Sequence, residues 1–113
     1  MGNEDRIRIQ HMIDAAEEAL SFVRAAKKED FSQSRLLILS VIKDVEIIGE
    51  AASKISEETK LKYSKILWKD IVGMRNRLIH GYFDFNINLV WNTTKNNLPP
   101  LIKSLKGILI EDK

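Results

Sequence analysis

Residues Leu37 to Ile55 read LILSVIKDVEIIGEAASKI, and this stretch decides the fold. Ile38, Val41, Ile42, Val45, Ile48, Ala52 and Ile55 recur at spacings of three and four, with Leu37 extending the series. That period lines one face of an α-helix over nearly five turns, and no strand could keep these residues on one side. Gly49 and Ala51 are small enough to let another backbone approach closely. Glu46 and Glu50 sit four apart on a neighbouring face, either solvated or turned toward a basic partner.

The same period extends outward in both directions. Ile9, Met12, Ile13, Ala16, Leu20 and Val23 predict a first helix from about Asp5 to Lys27. Asp30 to Ser34 reads as a polar connection in which Ser32 or Ser34 can cap the helix of the opening stretch. Ser56 to Lys69 is polar and mixed, with room for a short helix after Ser56. Asp70 can cap a third long helix that buries Ile71, Met74 and Leu78, and Gly81 is a natural terminator beyond it. Asn86 or Asn88 can cap a fourth through Leu89, Val90 and Trp91. Pro99 and Pro100 then stop that helix and open a fifth, whose apolar face is Ile102, Leu105 and Leu109. No segment sustains strand alternation, and no repeat or linker interrupts the chain. The expectation is all-α: a four- to five-helix up-and-down bundle forming one domain over residues 1–113.

Composition narrows the function classes. Of 113 residues, 44% are hydrophobic and 30% charged, as in an ordinary globular protein. The net charge of +2 means that any nucleic-acid contact must come from local clustering. With no cysteine there are no disulfides or thiolate metal sites, which fits a reducing cytoplasm. With a charged start from Glu4 onward no signal peptide is expected, and the longest apolar run, Leu36 to Leu39, is too short to span a membrane. Two distant histidines make no metal-ligand spacing, and no glycine-rich phosphate loop is present. Neither a metal nor another cofactor is expected.

The chemistry concentrates in Arg75-Asn-Arg-Leu-Ile-His-Gly-Tyr82. Histidine exchanges protons near neutral pH, and arginine offers a planar fork of donors suited to phosphate. Together they could break a phosphodiester. They could equally be an ordinary basic helix end, where the helix dipole favours an imidazolium. Arg75 and His80 are five residues apart, about 140° around an ideal helix, so they do not share a face. One imidazole also covers only one of two proton-transfer roles, whereas a two-fold dimer would supply both. His11 reads as a surface residue of the first helix, and Trp68, Phe83 and Trp91 as core packing.

Arg75-Asn76-x-x-x-His80-x-Tyr82 resembles the Arg-x4-His-x-Tyr signature of the HEPN superfamily. The likeness extends through Ile47-Ile-Gly-Glu-Ala-Ala52, Trp68-Lys-Asp-Ile-Val-Gly-Met74 and Asn97-Leu-Pro-Pro-Leu101. With four blocks in order, the chain resembles the HepT-like toxins of HepT–MntA toxin–antitoxin systems. That resemblance implies a dimerising bundle of HEPN type and a metal-independent endoribonuclease acting on RNA. Arg75 and His80 would be the catalytic pair, and Asn76 would orient the phosphate. Tyr82 would be the tyrosine to which an MntA-like nucleotidyltransferase antitoxin transfers AMP. An alternative of another class is a non-catalytic subunit that presents a nucleotide or substrate to a nucleotidyltransferase.

Overall fold

The computed structural model describes residues 1–79 and 84–112. Among these, regular structure is helical: α1 (Asn3–Arg24), α2 (Lys28–Gln33), α3 (Arg35–Ser53), α4 (Glu57–Lys62), α5 (Trp68–Leu78), α6 (Ile87–Asn92) and α7 (Leu98–Glu111). The only pairing of extended backbone described is an isolated bridge between Ile79 and Phe85. The all-α expectation holds, with α1, α3, α5 and the α6–α7 arm as the long members.

Side-chain pairs fix the direction of each helix. Arg8 reaches the Lys54 carbonyl, and Glu18 faces Asp44, so α1 and α3 run antiparallel. Gly49 lies against Val72, and Glu46 against Arg75, so α3 and α5 do too. Arg6 binds Asp112 and Lys106 binds Glu17, which sets α7 antiparallel to α1. The bundle is therefore up-and-down, with α3 sandwiched between α1 and α5. Its stripe residues Ile38, Val41, Ile42, Val45, Ile48, Ala52 and Ile55 are all buried, as are the predicted α1 residues. Ser34 caps α3 by accepting from Leu37 N, and Ser56 caps α4 through Thr59 N.

Four boundaries differ from expectation. α1 ends at Arg24 rather than Lys27, because Ala26 N bonds the Val23 carbonyl and tightens the last turn shut. Asp30 to Ser34 is not an open connection: α2 occupies it and buries Phe31 completely, its ring 5.3 Å from that of Trp91. Asp70 does not cap α5. The helix begins earlier, at Trp68, whose buried indole donates to the Tyr63 carbonyl, and Asp70 sits in the first turn where the dipole favours an anion. Pro99 and Pro100 open α7 from its first turn as expected, but they do not break the helical path before it. A π turn over Thr93–Asn97 joins α6 to α7, and this wider winding accommodates carbonyls that two prolines cannot bond. Asn86, not Asn88, caps α6.

A polar clamp ties the ends of α1 and α4 together. Asp5 accepts from Ser56 N, Ser56 Oγ at 2.6 Å and Thr59 Oγ1 at 2.7 Å. Burial pushes its carboxyl up, but these hydrogen bonds and the Arg8 charge outweigh that and hold it below the usual carboxylate range. Among the described residues no helix is long and apolar enough to cross a membrane.

Candidate active site

The site begins with a glycine. A Cβ at Gly49 would stand 3.4 Å from the Val72 carbonyl oxygen and 3.5 Å from that of Ile71, in van der Waals contact, so a small residue here lets α5 lie close to α3 and leaves no room for a larger side chain. Ala51, also expected to admit a backbone, instead lines a groove between α1 and α3 with His11 and Ile47. One turn from Gly49, Arg75 Nε donates to Glu46 Oε2 at 2.9 Å. The other Glu46 oxygen lies 3.9 Å from Lys43 Nζ. Of the two options for Glu46 and Glu50, Glu46 therefore faces the basic motif. Glu50 is exposed and has no cation within 4 Å among the described residues.

Held by its Nε, Arg75 still presents the outer edge of its guanidinium. Nη1 approaches Asn76 Oδ1 at 3.5 Å, and the side chain remains about half exposed. The second arginine of the motif is used differently: Arg77 folds back along α5 and donates to the Asp70 carbonyl. Two open depressions meet at this point. One, of about 420 Å³, is lined by Leu39, Ile42, Glu46, Arg75, Asn76 and Ile79. The other, of about 260 Å³, includes Val45, Gly49, Val72, Arg75 and Asn76. Arg75 and Asn76 thus share one surface, with Ile79, the residue before His80 in sequence, on it as well. His80 and Tyr82 lie outside the described residues, as does Phe83. His11 is exposed, while Trp68 and Trp91 are buried in the core.

Two residues along α3 from Glu46, Asp44 has the opposite surroundings. It is 2% exposed, its Oδ2 meets no hydrogen-bond donor, and it faces Glu18 of α1. Burial, with a hydrogen bond and like charge from Glu18, pushes its carboxyl up to about 7. Its position was readable: Asp44 falls three residues after Val41 and four before Ile48, within the apolar stripe. Among the described residues no three His, Asp or Glu side chains gather as a metal site.

A helical bundle that presents an oriented guanidinium and an amide on an open groove is a frame for binding phosphate or another oxyanion. Likeness to known proteins makes the class specific. The HepT-like ribonuclease family matches residues 12–108, and the chain belongs to that family. A protein of Caldanaerobacter subterraneus subsp. tengcongensis named “Putative RNase” is 36% identical over 93% of this chain and 94% of its own length. The “Probable ribonuclease HepT” of Thermococcus cleftensis is 34% identical over 88% of the chain and 86% of its own. A Methanocaldococcus jannaschii protein named “Gamma-glutamylcyclotransferase and putative RNase” is 32% identical over 98% of the chain but only 50% of its own length. No solved structure matches the chain. The enzyme class expected from the sequence, a ribonuclease, is that of the family.

Proposed function

We propose that this chain is a metal-independent endoribonuclease and the toxin of a toxin–antitoxin pair, cutting RNA through the substrate's own 2′-hydroxyl. The observation that carries this reading is the Glu46–Arg75 pair on the α3–α5 groove, with Asn76 beside it. In this mechanism His80 removes the proton from the 2′-hydroxyl, which attacks the adjacent phosphorus. A second His80, from a symmetry-related copy, protonates the departing 5′ oxygen. The outer edge of Arg75 stabilises the added negative charge on the pentacoordinate phosphate. Asn76 orients a phosphate oxygen. Glu46 is a positioning residue: it fixes the guanidinium from behind so that little reorganisation is needed as charge develops.

A two-copy site has support beyond the missing second imidazole. Leu36, Leu39 and Ile47 are exposed along α3, and Ile7 of α1 is exposed in the same groove as Ile47. Large apolar side chains left exposed on one helix suit a self-complementary partner. We assign Tyr82 as the control point. An AMP group transferred there by an MntA-like nucleotidyltransferase would place an anion two residues from His80 in sequence, competing with substrate for Arg75.

The test replaces His80 with Ala and follows growth arrest and RNA cleavage with folding checked. Loss of both activities with RNA binding retained supports the nuclease. Unchanged toxicity would instead favour a non-catalytic partner subunit of the nucleotidyltransferase. Mass spectrometry after co-expression with that enzyme checks Tyr82, and suppressed toxicity with an unmodified tyrosine rejects its role.

A further inference from the structure

The lysines of this chain are unevenly placed. Residues 54–70 hold Lys54, Lys60, Lys62, Lys65 and Lys69 against Glu57, Glu58 and Asp70, a net +2 that equals the charge of the whole chain. The remaining residues balance to zero, so the basic character resides at the α4–α5 edge. Lys60 reaches Glu57 only at 3.9 Å. Lys62, Lys65 and Lys69 are exposed and have no carboxylate within 4 Å among the described residues; the Lys62 ammonium lies over the Tyr63 ring.

This edge is joined to the candidate active site. A depression of about 570 Å³ is lined by Lys60, Leu67, Lys69 and Val72, with Glu57 and Asp70 also on it. It shares Ser53 and Val72 with the depression that holds Arg75 and Asn76. On α5, Lys69, Val72 and Asn76 follow the three-then-four spacing of one helix face and span about 10 Å. That is about the rise of three stacked nucleotides.

We propose that the α4–α5 edge is a second RNA-binding surface. Its lysines would hold backbone phosphates of the strand that flanks the scissile position, and the α3–α5 groove would lead that strand to Arg75. The proposal deepens the ribonuclease reading and rests on it for the direction of the strand. Leu67 and Val72 form an apolar floor against which bases or riboses can lie without hydrogen-bond readout, so the surface contributes affinity rather than sequence choice.

The test compares the full chain with the triple variant Lys62→Glu, Lys65→Glu, Lys69→Glu, using a labelled single-stranded RNA of about thirty nucleotides and a short one of two or three. On the long RNA the variant should show a KM raised at least about 10-fold with kcat nearly unchanged. Its salt dependence of binding should flatten by about two log units per log unit of salt, near 0.7 for each lost phosphate contact. On the short RNA the two proteins should be alike. Equal KM, affinity and salt slope on the long RNA would overturn the proposal. So would wild-type handling of RNA combined with escape from the nucleotidyltransferase, which would assign the edge to a protein partner. Binding measured by fluorescence anisotropy separates the two ideas. If the wild type cleaves nothing, yet charge reversal weakens its binding, the nuclease reading fails and the RNA surface stands.

Discussion

Asp44 and Glu46 are two residues apart on α3, and the helix turns them to different neighbours with different outcomes. Asp44 points toward α1, is buried, and meets another carboxylate instead of a cation, so burial pushes its carboxyl up to about 7. Glu46 points toward α5, remains partly exposed, and meets Arg75 at 2.9 Å. The first arrangement costs stability whenever the side chain is charged. The second has little to lose to desolvation and gains a fixed guanidinium at a groove. A partly exposed ion pair contributes little to stability, so its value lies in geometry.

Under the proposed mechanism Arg75 should be the most sensitive position for activity and a tolerant one for folding. Arg75→Ala should lower the cleavage rate about 10²–10³-fold, as for loss of one transition-state donor, while its melting curve stays close to wild type. Unchanged cleavage would remove Arg75 from the mechanism. Gly49→Val acts on the spacing that brings the two helices together. Added atoms where a Cβ already stands 3.4 Å from the Val72 carbonyl should push α5 outward, costing about 1–3 kcal/mol in denaturant melts and slowing cleavage too.

Glu46→Gln keeps the shape and removes the charge behind Arg75. A cleavage rate lower by about 10-fold, with RNA affinity nearly intact, is the signature of a positioning role. An equal loss in KM alone would make Glu46 a substrate contact. The smallest effect is expected at Asp44. Its folded carboxyl holds a proton more tightly than the unfolded one, so the folded state binds more protons between about pH 4 and pH 7. Stability contributed by the protonated form is therefore lost as pH rises through about 7. Asp44→Asn, a neutral mimic, should stabilise the chain by at least about 1 kcal/mol more at pH 8 than at pH 5, with part of the gain already present at pH 5 because the unfolded carboxyl is ionised there. A gain equal at both values would mean that Asp44 is not the titrating group.

Much of this molecule could be read from residue spacing. The α3 stripe and the α1 stripe lie where the period puts them, a short helix does follow Ser56, and the structure takes Ser34 and Asn86 from the two pairs of capping candidates. α2 escaped because six residues cannot display a helical period; it is anchored by one buried ring, Phe31. Both helices of the α6–α7 arm were expected; their continuity escaped because two prolines argue for a break, and only the wide turn before them shows how the helical path continues. Arg75 and Asn76 were visible as candidates, but the identity of their partner was not. Glu46 and Glu50 are equivalent in sequence, and only the α3–α5 register chooses between them. Asp44 lies inside the stripe by spacing, but an apolar period is defined by apolar residues and passes over a carboxylate.

In the proposed reaction Arg75 and His80 cut RNA by way of the 2′-hydroxyl. Its most direct test is the chemistry of the RNA ends produced in EDTA by the wild-type chain and by Arg75→Ala. Fragments ending in a 2′,3′-cyclic phosphate are expected from the wild type and almost none from the variant. Cleavage that requires magnesium, that cuts DNA equally well, or that survives loss of Arg75 would contradict it.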